Sequence, residues 1–439
     1  MPVQLRRSLT TLSLVSVMFF NVSGGAFTTE TLIVSAGPAT GLLIILLVPL
    51  LWSLPETLII GELASMLPEE GGYYRWVYRA FGPFWAFQNG WWTWMYSLVD
   101  MAIYPVLFNQ YLGFFFPGLS DSVQWIISLA VIWIATGINL RGSGKVGLVS
   151  LVSGAFILGV FLLVSLAALP HATHLPWQSP GSHTVGAGGL GVGLSIALWN
   201  YIGWDNASTV QGEVRDSSRS YPRALAITLP LVTLGYLVPL SATLSATDWT
   251  RWREGGWPDI ALMATGVAGP TLAVLLGVAG MVSAVALFNA LLLSYSRIPF
   301  AMAVDGLLPR PLAKVDRWST PRNAVLASAV CYSVFALLSF VHLVVADVLL
   351  YSMALFLEFG ALIALRRNEP GLRGSFRIPV GTAGVVALAL LPVVILLGVI
   401  VMETRAGEYG GAAILAALGA ALLGPVAYLG LRRAEKIEV

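Results

Sequence analysis

Five carboxylates stand out because they interrupt otherwise apolar stretches: Glu56, Glu62, Asp100, Asp205 and Glu358. No lysine or arginine stands at comparable depth in those stretches. An ionised side chain at the centre of a bilayer costs about 3 kcal/mol on insertion scales, so five of them require an offset. Such groups line a polar cavity, hold a proton, or are compensated by a cationic ligand. All three outcomes suit a proton-coupled carrier of amines.

Spacing sorts the five. Tyr96, Asp100 and Tyr104 are four residues apart and share a helix face. A stripe of two phenols and a carboxylate can hold an ammonium group by charge and cation–π attraction, or can hydrogen-bond between helices. Tyr351 and Glu358 are seven apart and likewise share a face. Glu56 or Asp205 is the expected proton carrier. Glu62, close to the end of its stretch, is expected to be structural and to pair with the Arg75 and Arg79 region. The four histidines, His171, His174, His183 and His342, fall in or beside loops expected on the outer side, so none is a proton carrier and no metal set is expected. Without an embedded histidine or a nucleophile-elbow motif, an enzyme is excluded. The single cysteine, Cys331, excludes an intrachain disulfide.

The elements that position these residues follow from composition. Only 46 of 439 residues are charged, 57% are hydrophobic and the mean hydropathy is +0.81. One water-soluble core cannot hide that much apolar surface. The net charge of +2 is too small to favour nucleic acid as a partner. Bilayer-spanning helices need about 20 apolar residues each. Twelve such runs are present, at 9–34, 40–66, 83–116, 122–139, 146–169, 188–211, 223–246, 268–303, 323–341, 343–366, 378–402 and 411–432. The boundary between the ninth and tenth is set at Val341 and His342. With the amino terminus inside, 21 of the 24 lysines and arginines fall on cytoplasmic segments and only Arg251, Arg253 and Arg405 lie outside. Both termini are then cytoplasmic, in a multi-pass protein of the cell membrane. The opening Arg6-Arg7 and its apolar run also fit a signal peptide, but the run continues past Gly25 to Val34, which favours an uncleaved first span.

Two spans carry helix breakers in their middle. The first has Asn21-Val22-Ser23-Gly24-Gly25, and the sixth has Trp199-Asn200-Tyr201-Ile202-Gly203-Trp204-Asp205-Asn206. Glycines at such positions either let helices pack closely or mark unwound chain lining a cavity. Two interrupted helices, five apart and opposite in orientation, are what a five-plus-five inverted-repeat transporter requires, and their free ends attract ions.

These passages, with Trp52-Ser53-Leu54-Pro55-Glu56, Pro68-Glu69-Glu70-Gly71-Gly72-Tyr73, Ile103-Tyr104-Pro105-Val106-Leu107, Gly212-Glu213-Val214, Leu357-Glu358-Phe359 and Phe376-Arg377-Ile378-Pro379-Val380-Gly381, resemble the amino acid–polyamine–organocation superfamily over almost the whole chain. The polyamine:proton symporters are the nearest branch. The resemblance implies an all-α integral membrane protein with 12 transmembrane helices, a leucine-transporter-type 5+5 inverted repeat, broken helices 1 and 6, and alternating access. Residues 1–170 would hold the first repeat, the second would run from 171 through 342 to near 367, and 368–439 would hold helices 11 and 12. By this likeness the substrate meets Val22, Ser23, Gly24 and Gly25 of the first break and Trp199, Asn200, Tyr201, Ile202 and Gly203 of the second. Tyr96, Asp100, Tyr104, Tyr351 and Glu358 join them, with Asn289 and Leu291 as eighth-helix candidates. Trp199 would close over bound substrate, and Glu56 and Asp205 would serve coupling and gating.

Two departures bear on the substrate. A lysine that proton-coupled amino acid carriers often place in the fifth span is missing, where the chain reads Ser153-Gly154. The first-span triplet Ser23-Gly24-Gly25 differs from the Gly-Ser-Gly and Gly-Ala-Gly patterns of amino acid carriers and tilts toward polyamines. The expected activity is proton-coupled uptake of polyamines or cationic amino acids, with neutral amino acid import or exchange, or a transporter-like nutrient sensor, as alternatives. No cofactor is expected beyond an ion gradient, with sodium in place of protons left open. The expected partners are a small amine or amino acid and the lipid bilayer, for a monomer or homodimer.

Overall fold

The computed structural model describes residues 5–179, 187–336, 344–406 and 410–437. Helix dominates, because backbone in an apolar surrounding must satisfy its own N–H and C=O groups. Among the described residues the only β pairing is an isolated parallel bridge between Leu9 and Val214. The first apolar run holds two short helices, α1 (Thr11–Val22) and α2 (Thr29–Ala36). The second holds α3 (Pro38–Val48) and α4 (Leu54–Met66), joined by a π-helical turn over Pro49–Ser53. Pro49 and Pro55 each remove a backbone donor there, which loosens the helical ladder. The amphipathic α5 (Tyr73–Phe81) leads into the long α6 (Pro83–Phe115), followed by α7 (Asp121–Asn139) and α8 (Ser143–Ala168).

After the loop, α9 (Ala187–Trp199) stops short and the chain resumes as a 3₁₀ stretch over Asn206–Glu213. Then come α10 (Ser217–Ala246), α11 (Trp257–Ala264), α12 (Gly269–Tyr295) and α13 (Arg297–Val304). The last four are α14 (Arg322–Phe335), α15 (Val344–Asn368), α16 (Thr382–Ala406) and α17 (Gly410–Ile437). The ninth-to-tenth boundary at Val341 and His342 lies outside the described residues. Among the described residues, seven helical segments are long and apolar enough to cross a membrane. On α16, Leu390, Val394, Leu397 and Val401 are exposed at helical spacing, an apolar stripe suited to lipid.

The interior is built around α6, which packs on α12 and α15, and around α1, which packs on α8, α10 and α12. One end of the bundle gathers the arginines. There Arg297, fully buried, pairs with Glu213 at 2.8 Å and approaches Glu70 at 3.9 Å. Burial pushes the Glu70 carboxyl well above its usual range, and the charge of Glu213 adds to the effect while Arg297 opposes it. The backbone joins the same closure, because Leu9 N–H donates to Glu213 O and Arg215 N–H donates to Leu9 O.

The expected pairing of Glu62 is corrected. Its carboxylate takes Nε and Nη2 of Arg366 and the Ile378 N–H, all buried. Arg75 instead binds Asp305 and Arg79 binds Glu369. The reason is the path of α5, whose basic side chains turn toward other segments, whereas α15 delivers Arg366 to the end of α4. Breaking one partner of a buried pair costs roughly 3–5 kcal/mol, because it strands the other charge. Glu62→Gln and Arg366→Met should each lower the thermal unfolding temperature of detergent-purified protein by several degrees. Combining Arg366→Met with Glu62→Leu should recover part of the loss, and additive losses would contradict the pairing.

Candidate substrate site

The site begins where two helices fail. Gly24 and Gly25 have φ of 96° and 107°, a region that side chains disfavour, so α1 ends and α2 starts anew at Thr29. Gly203 has φ of 99°, and a Cβ there would overlap the carbonyl oxygen of Asn21. The two breaks therefore touch. Side chains serve the backbone groups this frees, as burial requires. Ser283 Oγ donates to Gly24 O at 2.7 Å, Tyr236 Oη to Asn200 O at 2.9 Å, and Tyr221 Oη to Trp204 O at 3.0 Å. Asn21 Nδ2 donates to Ser294 Oγ at 2.9 Å, fixing the last turn of α1 against α12.

A narrow cavity opens beside this crossing. Of the residues singled out from sequence, it is lined by Val22 and Ser23, by Trp199, Asn200, Ile202 and Gly203, and by Tyr96, Asp100, Tyr104 and Tyr351. The remainder are placed elsewhere. Gly24 packs against Ser283 and Leu287, and Gly25 against Ile157 and Phe161, so both shape the turn. Tyr201 points away and donates to Ile45 O at 2.9 Å. Asn289 accepts from Asn139 Nδ2 at 2.9 Å, because it stands two residues beyond the cavity-lining Leu287, about 200° further round α12. Leu291 is buried in the core and is also absent from the lining. Glu358 lies two turns along α15 from Tyr351, where Asn89 Nδ2 reaches it at 3.4 Å.

Five lining residues were not among the expected site residues: Asn21 and Asn206, which the sequence placed in the two breaks, and Leu287, Tyr295 and Asp347. For Asp347 a signal exists, since it stands one helical turn before Tyr351 inside an apolar run. Glu30, the other acid overlooked in such a run, is buried and accepts from Gly255 N–H at 2.9 Å, tying α2 to the loop before α11.

Within the cavity, Asp100 accepts from Tyr104 Oη at 2.7 Å and from Tyr295 Oη at 2.9 Å. Tyr96 donates to Asn206 Oδ1 at 3.1 Å, and its ring meets those of Tyr295 and Tyr351 edge-on at 5.6 and 5.5 Å. The C-terminal ends of α1 and α9 both deliver residues to the lining, and such ends carry partial negative charge. No lysine, arginine or histidine lines the cavity among the described residues. Its electrostatics favour a cation.

Glu56 and Asp205 meet at Tyr351. The phenol oxygen lies 2.6 Å from Glu56 Oε1 and 2.8 Å from Asp205 Oδ1, while Gly203 N–H donates to it at 2.9 Å. A phenol has one hydrogen to give. One of the two carboxyls must then bring its own proton to make the second short contact.

A family model for amino acid permeases matches residues 9–420. The chain belongs to this family, within the amino acid–polyamine–organocation superfamily. It is a membrane transporter. Polyamine transporter RMV1 of Arabidopsis thaliana is 34% identical over 98% of this chain and 86% of its own length. Polyamine transporter PUT1 of Oryza sativa subsp. japonica is 34% identical over 98% of the chain and 79% of its own. A D-serine/D-alanine/glycine transporter of Escherichia coli is 26% identical over 62% of the chain and 60% of its own.

For a permease the contact of the two breaks is a direct mutational target. Gly203→Ala introduces a methyl group against the Asn21 carbonyl and an unfavourable φ together. It should abolish uptake and lower the unfolding temperature, whereas Gly398→Ala, which meets open space on α16, should leave both unchanged. Wild-type uptake by Gly203→Ala would show that the two breaks separate freely.

Proposed function

We propose that this permease imports polyamines across the cell membrane, driven by the proton gradient, through alternating access of two inverted five-helix repeats. The repeats are residues 1–170 and 171 to near 367, with two further helices after them and both termini in the cytoplasm. The crossing of α1 and α2 with α9 and the following 3₁₀ stretch supports this arrangement. The observation that carries the substrate reading is the cavity lined by two carboxylates, by the C-terminal ends of two helices and, among the described residues, by no base. Relatives named polyamine transporters at 34% identity support it. Neutral amino acid import is the second reading, favoured by the E. coli relative.

The trio Glu56, Tyr351 and Asp205 supplies the coupling proton. With the proton present, Tyr351 bridges both carboxyls and holds the Gly203 N–H. Loss of the proton leaves two ionised carboxylates around a single phenol hydrogen, so one contact breaks and the hold on Gly203 loosens. The proton thus acts on the backbone at the break, which is the part that must move between outward-facing and inward-facing forms.

Two unit charges 4 Å apart attract by about 4 kcal/mol at an effective dielectric near 20, enough to make one carboxylate decisive for a small amine. Purified protein in liposomes should accumulate putrescine and spermidine when the outside is acid, and an ionophore should abolish the accumulation. Asp100→Asn should weaken putrescine by about tenfold or more, a loss of about 1.4 kcal/mol per tenfold. Preference for alanine over putrescine by the wild type would favour the second reading. Glu56→Gln should eliminate gradient-driven accumulation and retain exchange of labelled for unlabelled putrescine. Undiminished accumulation would remove Glu56 from the coupling.

A further inference from the structure

Asp347 is 1% exposed, lines the cavity, and has no hydrogen-bond partner for either carboxylate oxygen among the described residues. Its position follows from the register of α6 against α15. Asn89 Nδ2 donates to Ala354 O at 3.1 Å and reaches Glu358, while seven residues along α6 the Tyr96 ring meets Tyr351, seven residues back along α15. The helices therefore run antiparallel with matched steps. Four residues further on α6 stands Asp100, and four residues earlier on α15 stands Asp347, so the two acids occupy facing rungs. Both line the one cavity.

The two are not equivalent. Both oxygens of Asp100 already accept phenol hydrogens, from Tyr104 and Tyr295. Those of Asp347 have full acceptor capacity in a site where a buried polar group left unpaired is costly. What completes the site is a compact cation with several N–H donors, and a primary ammonium offers three. Tyr351 lines the same cavity one turn, or about 6 Å, along α15, the direction in which an aliphatic chain held at Asp347 would run.

We infer that Asp347 is the residue that hydrogen-bonds a terminal primary ammonium of the substrate, with Asp100 facing it and contributing charge. The assignment rests on the polyamine reading and specifies its recognition site. An orphan acid kept for a ligand has a signature that a structural acid lacks: its removal does not harm the empty protein. Detergent-purified Asp347→Asn should therefore unfold at the wild-type temperature or above it without ligand, and should lose the upward shift that putrescine gives the wild type. Half-maximal uptake of putrescine by Asp347→Asn in liposomes should require about tenfold more substrate or higher. Asp347→Glu, which keeps the charge, should restore much of the shift.

A putrescine response in Asp347→Asn equal to that of the wild type would overturn the assignment and leave polyamine transport standing. A fall in the ligand-free unfolding temperature of both Asp347→Asn and Asp347→Glu would make the residue structural and overturn it too. A wild type that responds to alanine and to no polyamine would instead overturn the polyamine reading, and the assignment with it.

Discussion

Everything in this site depends on the approach of Gly203 to the carbonyl of Asn21. Two unwound segments meet there in an interior that offers no bulk water, so every backbone group released from a helix must find a partner in the protein. The structure meets the requirement with hydroxyls from neighbouring helices: Ser283, Tyr221, Tyr236 and Tyr351 each hold one such group. Because those hydroxyls come from α12, α10 and α15, the breaks are anchored to three helices at once. Tyr351 is the one that also touches carboxyls, so a proton can alter the anchoring of the backbone at that single point.

The second constraint is the register of α6 and α15. Matched antiparallel steps put Asn89 beside Glu358, Tyr96 beside Tyr351 and Asp100 opposite Asp347. Along this ladder the chemistry changes from an amide–carboxyl contact, through phenol rings meeting edge-on, to two acids facing one cavity. A shift of one residue in either helix would rotate that helix by about 100° and scatter the set, so the packing of large neighbours such as Tyr295 against Tyr96 also preserves the site.

Local chemistry explains what was legible in the sequence. Apolar runs bounded by arginines declare helices, and the helices occupy those runs. Glycine clusters beside polar residues declare breaks, and the helices stop at Val22 and Trp199. Periodicity of four also reads correctly where both residues sit on one helix, as with Tyr104 and Asp100. What spacing cannot carry is which helix lies opposite. The partner of Glu62 is 304 positions away at Arg366, and Asp305 is 230 from Arg75, so proximity along the chain pointed to the wrong bases. Asn289 fails for a rotational reason: it sits on α12, as the resemblance implies, yet faces Asn139 of α7. Asp347 had the right spacing from Tyr351, but its importance comes from facing Asp100, which only the helix register reveals.

The few charges in this chain divide by partner. Toward the arginine-rich end, Glu62, Glu213, Asp305 and Glu369 each take a guanidinium, and there an acid holds segments together. In the cavity, Asp100 is held by phenols, and Asp347 has no hydrogen-bond partner among the described residues. A phenol positions a carboxylate without cancelling its charge, so Asp100 is rigid and still attractive to a cation. A lysine or arginine placed there would provide the same rigidity and would also compete with the substrate's own ammonium for the carboxylate. Tyrosine is therefore the side chain that lets a buried acid be both ordered and available, which accounts for Tyr104 and Tyr295 gathering on Asp100.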